Sequence, residues 1–120
     1  MKEMNRAMFD ELVGGVQPVL VEFQAPWCGY CRRLKPAMDR IERELEGKLQ
    51  MGSINIDLEE ALSDREKIEV VPTLVIYREG KALGVERGVF RAPGGDKPFA
   101  MYRPLGEACP KPGYFGIALG

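Results

Sequence analysis

Two cysteines lie only two residues apart where the hydrophobicity pattern of the chain changes, and this junction constrains the fold most strongly. Before them, residues 18–23 form a short apolar run rich in branched side chains, which is typical of a buried central strand. After them, apolar residues recur at steps of three and four, as on one face of a helix: Cys31, Leu34, Met38, Ile41 and Leu45. The sequence therefore predicts a strand followed by a helix that begins at Cys28.

The position of Cys28 and Cys31 at a helix N-terminus favours thiol chemistry. Their spacing lets the two sulfurs come within bonding distance on the first helical turn. Backbone N–H groups and the positive end of the helix dipole stabilise a thiolate, and such sites lower a cysteine pKa from about 8.5 to roughly 7 or below. We expect Cys28 to be the exposed attacking thiol and Cys31 to be the buried thiol that resolves a mixed disulfide.

Two alternatives to a redox pair are that Cys28 and Cys31 are ordinary buried cysteines or that they are half of a metal site. The cysteine and histidine counts bear on these alternatives. The 120-residue chain has three cysteines and no histidine. The lack of histidine excludes a Cys-His dyad, a Ser-His-Asp triad and His-containing metal sites. Three cysteines also cannot supply a four-cysteine zinc site from one chain. A redox pair that needs no bound cofactor or metal is therefore the favoured interpretation.

Charge and hydropathy limit the partners that this chain can have. The formal net charge is −1, without the basic excess of a nucleic-acid-binding protein. No apolar run approaches the roughly 20 residues that span a bilayer. The first residues lead into an amphipathic segment and not into the apolar core of a signal peptide. We therefore expect a cytoplasmic location, with neither nucleic acid nor a membrane as a partner.

The order of predicted elements indicates an α/β fold in residues 1–88. In chain order, the patterns predict the following elements: a helix at 5–13, a strand at 18–23, a helix at 28–46, a strand at 51–56, a helix at 59–67, and strands at 73–77 and 81–86 joined by a turn. Such an order implies a mixed central sheet flanked by helices. Residues 89–120 contain six glycines and five prolines, so we expect an irregular Gly/Pro-rich tail.

Several motifs together resemble the thioredoxin family. Residues 23–31 (Phe-Gln-Ala-Pro-Trp-Cys-Gly-Tyr-Cys) are similar to its active-site segment, and Val71-Pro72-Thr73 is similar to the loop whose cis-proline faces the cysteines. Asn55-Ile56-Asp57 and the turn at 78–81 also lie at thioredoxin-like distances, so the resemblance covers about residues 5–88. It implies a thioredoxin-like sandwich and a thiol–disulfide oxidoreductase. Such an enzyme reduces protein disulfides and is recycled by an external disulfide reductase.

The resemblance also implies roles for single residues at the substrate surface. Trp27 would pack beside the attacking thiol and shape this surface, together with Gly29 and Tyr30 between the cysteines. Pro72 would be cis and would place the backbone of Val71 against a bound substrate strand.

Glu22 stands where the family usually keeps a buried acid beneath the disulfide, most often an aspartate. From the residues alone, an acid in the middle of an apolar strand should be buried, and burial should raise its pKa. It could then exchange a proton with Cys31 as that thiol attacks. The alternative is that Glu22 points to an exposed face.

Departures from the family pattern keep other functions open. Gly-Tyr separates the cysteines where Gly-Pro is usual, Gln24 replaces an aromatic residue, and Ser53 replaces a lysine near the buried acid. The first strand and the last helix of the fold could be absent. Cys109 in the tail is interpreted as an incidental free thiol, with a third redox thiol or an intermolecular disulfide as the alternatives. A disulfide isomerase or oxidase, or a non-catalytic interaction module of the same fold, therefore stays open.

Overall fold

Strand β2 (Val19–Gln24) lies at the centre of a five-stranded sheet in the computed structural model, which describes residues 1–87 and 108–111. It pairs in parallel with β3 (Gln50–Asn55) and antiparallel with β5 (Thr73–Arg78). A two-residue strand β1 (Lys2–Glu3) pairs in parallel with β3, and β6 (Lys81–Arg87) pairs antiparallel with β5. The order is therefore β1-β3-β2-β5-β6, a mixed sheet.

Within the described part of the chain, three helices flank this sheet. Helix α1 (Arg6–Val13) begins after Asn5, whose side chain accepts a hydrogen bond from the Met8 N–H at 2.9 Å and so caps the helix. Helix α2 (Gly29–Glu44) begins after Cys28 and continues through Pro36, and helix α3 is short (Glu60–Arg65). Among the described residues, no helix combines the length and apolar character that a bilayer crossing requires.

The core forms on both faces of the sheet because β2 alternates its side chains. Val19, Val21 and Phe23 are fully buried in a cluster with side chains of α1 and α3. Leu20 faces the opposite way and packs in a second cluster with Leu34 and Met38 of α2. Glu22 shares the face of Leu20, so its carboxyl group lies beneath α2.

A second sheet consists of two short strands beside the cysteine pair. Strand β4 (Val70–Val71) pairs antiparallel with β7 (Cys109–Pro110), with Val70 opposite Pro110 and Val71 opposite Cys109. The β4 residues are buried, and β5 follows directly after Pro72.

The α/β fold expected from the sequence is confirmed, and the seven predicted helix and strand bounds differ from the observed ones by at most two residues. The first strand, which could have been absent, is present as the two-residue β1. The expected domain boundary at residue 88, the absent last helix and most of the irregular tail (88–107 and 112–120) lie outside the described residues. Residues 109–110, expected to be irregular, instead form β7 because β4 offers backbone groups that pair with them.

We expect Phe9→Ala to lower the free energy of unfolding by about 3–5 kcal/mol. Phe9 is 1% exposed and makes edge-to-face contacts with Phe23 and Tyr77, so the substitution leaves a cavity between α1 and the sheet. Urea unfolding of the reduced protein measures the loss. Val16→Ala, at a side chain that is 76% exposed, is the control and should change stability by less than about 0.5 kcal/mol. A Phe9→Ala loss below 1 kcal/mol would contradict this packing.

Candidate active site

Cys28 lies at the N-cap of α2, at the end of the loop that follows β2. Its φ and ψ of −91° and 117° are extended, and its carbonyl oxygen accepts a hydrogen bond from the Arg32 N–H at 3.3 Å. Its own N–H donates to the carbonyl oxygen of Ala25 at 3.2 Å, which holds the loop turned toward the helix. The sulfur is thereby fixed at the positive end of the α2 dipole, where a thiolate is stabilised.

Cys31 lies one turn further along α2 and is buried, with 6% of its surface exposed. It is a free thiol. The pKa of this thiol is raised to about 11, mainly by burial and also by the negative charge of nearby Glu22, whereas backbone hydrogen bonds and Arg32 act in the opposite direction. Cys31 is therefore protonated at neutral pH and needs a base to become a nucleophile.

Glu22 lies in β2 with 4% of its surface exposed, so the alternative of an exposed face is excluded. Its pKa is raised to about 7, mainly by burial and also by Asp39, whereas Lys35 and the N-terminal ammonium group act in the opposite direction. Glu22 and Cys31 both line one cavity of about 190 Å³, large enough to admit water. A carboxyl group with a pKa near 7 in this cavity can accept or return a proton at neutral pH.

Glu22 has Ser53 as its register partner on β3, and Ser53 and Gln24 line the same cavity. The two departures from the family pattern near the acid therefore both face Glu22. Cationic charge reaches this cavity instead from Lys35, which forms an ion pair with Asp39 at 3.3 Å.

The loop that carries Pro72 faces the cysteines. The Val71–Pro72 peptide bond is cis, as the resemblance implied, and the Cys28 sulfur lies 3.5 Å from the carbonyl oxygen of Val71. The backbone of Val71 is the edge along which β7 pairs. This edge can hold an extended peptide directly beside the Cys28 sulfur.

Cys109 occupies this edge and is bonded to Cys28, with 5.9 Å between the two Cα atoms. The interpretation of Cys109 as an incidental free thiol is therefore wrong. That interpretation relied on the Gly/Pro-rich surroundings, whereas the pairing of residues 109–110 with β4 needs only four residues and joins positions 38 and 40 apart in the chain. The expectation of an exposed Cys28 is also wrong in this state, because the bonded segment leaves Cys28 with 0% exposure.

Trp27, Gly29 and Tyr30 are the sequence neighbours of Cys28 at the start of α2. Trp27 is 43% exposed, and its Nε1–H donates to the carboxylate of Asp57 at 3.0 and 3.3 Å, which fixes the indole ring beside the motif. Gly29 is the first residue of α2. The Arg33 guanidinium lies 4.9 Å from the centre of the Tyr30 ring, a cation–π contact. Across residues 1–87 and 108–111, no group of three or more acidic or cysteine side chains could hold a metal ion.

Comparisons with known proteins agree with this geometry. The family model for thioredoxin matches residues 1–92. The chain belongs to the thioredoxin family. It is 34% identical over 87 residues to a thioredoxin of Synechocystis, covering 72% of this chain and 81% of that protein. The thioredoxin 1 of Nostoc is 36% identical over 78 residues, which are 65% of this chain and 73% of that one.

Longer relatives and a solved structure complete the comparison. A protein disulfide-isomerase-like protein of Arabidopsis thaliana is 34% identical over 100 residues, which are 82% of this chain but 22% of that protein. The chain thus spans about a fifth of such relatives. The crystal structure of a Malassezia sympodialis thioredoxin superposes with a TM-score of 0.67 at 23% identity, covering 69% of this chain and 75% of that one, and it supports the fold alone.

The structure brings together most of the residues that the sequence selected in this thioredoxin-family chain. Around the Cys28 sulfur lie Cys31, Trp27, Gly29, Tyr30, Val71 and Pro72, with Glu22 beneath Cys31. Sequence reasoning missed the contribution of Asp57 and gave a redox role of Cys109 only as an alternative. The odd cysteine count was the signal for Cys109, because a cysteine left over from a pair is a candidate reactive thiol.

We expect the free energy of unfolding to fall by about 3 kcal/mol between pH 4.5 and pH 7 because of Glu22. The folded protein keeps this proton up to about pH 7, whereas the unfolded chain loses it near pH 4.5. The folded state therefore binds more protons in this window, so stability falls as pH rises and is constant above it. Glu22→Gln, which stays neutral, should lack this dependence, so its stability relative to wild type should rise by about 3 kcal/mol between pH 4.5 and pH 7.

Urea unfolding of the fully reduced proteins at the two pH values measures this difference. Glu44→Gln, at an exposed position of α2, is the matched control and should keep the pH dependence of wild type. An equal pH dependence in wild type and Glu22→Gln would contradict a raised Glu22 pKa.

Proposed function

We propose that this protein is a dithiol–disulfide reductase that acts on protein disulfides through Cys28 and Cys31. The observation that carries the proposal is the disulfide between Cys28 and an extended segment paired on β4. It supports a site that binds a cysteine in an extended strand and bonds it to Cys28, which is the arrangement of a mixed disulfide.

The proposed reaction has two exchange steps. The Cys28 thiolate attacks one sulfur of a substrate disulfide, and the other substrate sulfur leaves as a thiolate and takes up a proton. Cys31 then attacks the Cys28 sulfur as its proton passes to the Glu22 carboxylate, the bond between Cys28 and the substrate breaks, and the second substrate sulfur leaves as a thiolate that takes up a proton from Glu22 or water. Two electrons and two protons reach the substrate, and Cys28 and Cys31 become a disulfide.

Glu22 supports the second step in particular. Cys31 has a pKa of about 11 and Glu22 a pKa of about 7, and both line the same cavity. A carboxylate that accepts a proton near neutral pH offsets the cost of forming a buried thiolate. Trp27, Gly29, Tyr30, Val71 and Pro72 would form the surface against which the substrate strand lies.

Recycling requires an external disulfide reductase as a partner, because each turnover leaves Cys28 and Cys31 as a disulfide and two electrons must be returned to them. The proposed direction of electron flow suits a reducing compartment such as the cytoplasm, and in it the protein would serve electron transport and cell redox homeostasis. Some relatives carry chloroplastic names, such as the M-type thioredoxin of Pisum sativum.

A disulfide isomerase or oxidase is the second candidate. It is favoured by the similarity to disulfide-isomerase-like proteins and by the Gly-Tyr pair between the cysteines. The reduction potential of the Cys28–Cys31 pair discriminates between the two candidates. A potential well above about −200 mV favours the oxidase or isomerase, and a lower potential favours the reductase.

We expect the protein to accelerate the reduction of insulin disulfides by excess dithiothreitol, and we expect Cys28→Ser to lower the rate to that of dithiothreitol alone. Without dithiothreitol, the reduced double variant Cys31→Ser/Cys109→Ser should instead accumulate a mixed disulfide between Cys28 and an insulin chain, because the attacking thiol remains and no other cysteine of the chain can displace the insulin sulfur. Insulin precipitation measures the rate, and non-reducing electrophoresis with mass spectrometry detects the adduct.

Val16→Ala is the control for purification and folding and should retain the wild-type rate, since its side chain is exposed and remote from the cysteines. Equal rates for wild type and Cys28→Ser, neither above dithiothreitol alone, would contradict the reductase proposal. That outcome would favour a non-catalytic interaction module.

A further inference from the structure

Three independent contacts hold the Cys109 segment beside Cys28. Strand β7 pairs with β4, with Cys109 directly opposite Val71. The Lys111 N–H continues this pairing by donating to the carbonyl oxygen of Glu69 at 2.9 Å. The Lys111 ammonium group also forms an ion pair with Asp64 at the end of α3. The segment is therefore held by its backbone and by a charge, in addition to the disulfide.

We propose that Cys109 is a third redox-active cysteine and that residues 108–111 are an internal substrate of the active site. The proposal rests on the proposed role of Cys28 as the attacking thiol. In the oxidised protein, Cys28 is then shared between two partners, Cys31 within α2 and Cys109 in the tail. When Cys28 is bonded to Cys109, the tail covers the β4 edge, and we call this the capped state. When Cys28 is bonded to Cys31, the tail is released and the edge is free.

The exchange between the two states needs no external oxidant or reductant. In the capped protein the Cys31 thiol loses its proton to the Glu22 carboxylate, and its sulfur attacks the Cys28 sulfur. The Cys28–Cys109 bond breaks as the Cys28–Cys31 bond forms, and Cys109 leaves as a thiolate that takes up a proton. One disulfide and one thiol are present before and after, so the exchange is redox-neutral and reversible.

The topology favours this internal substrate over external ones. Arg87, at the end of β6, pairs with Thr73, the residue after Pro72, so the chain leaves the sheet close to the edge to which Cys109 returns. The 21 residues between Arg87 and Cys109 exceed what such a short return needs. A tethered segment of this kind typically reaches effective concentrations of order millimolar, so protein substrates at micromolar concentration compete poorly with it.

The cap also changes which substrates can react. In the capped state the Cys28 sulfur is fully buried and the β4 edge is occupied, so a protein disulfide reaches the site only after the tail has left. A two-electron reductant that converts both states to three thiols releases the tail from its covalent bond. The oxidised protein should therefore be latent until it is reduced.

Disulfide mapping of the full-length oxidised protein tests the exchange directly. The protein is equilibrated in a glutathione redox buffer, and its free thiols are alkylated. Mass spectrometry then identifies the disulfide-linked peptides, and fragment ions from cleavage between Cys28 and Cys31 show which of the two cysteines is bonded. We expect the Cys28–Cys109 bond in at least a tenth of the oxidised monomer, with Cys28–Cys31 in the rest. Cys31→Ser should convert nearly all of the monomer to Cys28–Cys109, whereas Cys28→Ser should leave Cys109 without an intramolecular partner.

Variants at Lys111 test whether the docking contacts, and not collision of a loose tail, select Cys109. Lys111→Ala removes the ion pair with Asp64 and should lower the ratio of Cys28–Cys109 to Cys28–Cys31 about two- to fivefold. Lys111→Pro also removes the N–H that bonds Glu69, and the ratio should fall about tenfold. Lys81→Ala, at an exposed position of β6, is the matched control and should leave the ratio unchanged.

Activity provides an independent readout. With oxidised protein and limiting dithiothreitol, insulin reduction by wild type should begin after a lag, and Cys109→Ser should shorten that lag at least threefold. Three outcomes would overturn the proposal. The Cys28–Cys109 bond could be absent from the Cys31→Ser monomer, the Cys109 disulfide could form only between two chains, or the ratio of the two disulfides could be unchanged in both Lys111 variants. If both disulfides are found as expected but the protein does not reduce insulin, the reductase function is contradicted and the internal exchange is still supported.

Discussion

The two-sided pairing of β2 is the constraint on which the rest of this structure depends. Hydrogen bonds to β3 and β5 fix its register, and its alternating side chains then place Val21 and Phe23 on the face of α1 and α3 and Glu22 beneath α2. A slip of one residue would exchange the two faces and expose the apolar set. The same register therefore secures the core and brings a carboxyl group under Cys31.

The two sulfurs of the motif differ because the N-terminus of α2 and its buried face are different environments. Cys28 at the N-cap lies at the positive end of the helix dipole, which stabilises a thiolate. Cys31 lies one turn deeper, where burial raises its pKa to about 11. Because the Cys28 thiolate is stabilised and the Cys31 thiol is not readily deprotonated, Cys28 attacks first and Cys31 attacks second in the proposed exchange. It also explains why the buried acid matters more to the second thiol than to the first.

Much of this arrangement could be predicted from the sequence because its signals are local or periodic. The stripe from Cys31 to Met38 follows the helical repeat, and the apolar run before the motif indicates a central strand. Glu22 could be placed for the same reason, since burial of its strand fixes its surroundings. Strand β1 escaped prediction because two residues carry no periodicity. Asp57 was missed because its bond to Trp27 joins residues 30 positions apart.

The tail shows why composition alone misleads about a binding segment. Glycine and proline disfavour regular elements, yet an extended segment needs only a few backbone hydrogen bonds to pair with an existing strand. Strand β4 must present an unpaired edge if it is to receive substrates, and such an edge also invites unwanted pairing with other chains. A segment of the same chain, with Cys109 opposite Val71 and Lys111 against Asp64, covers that edge reversibly. Substrate selection then becomes a competition that an external protein wins only when its strand and its disulfide together bind better than the tail.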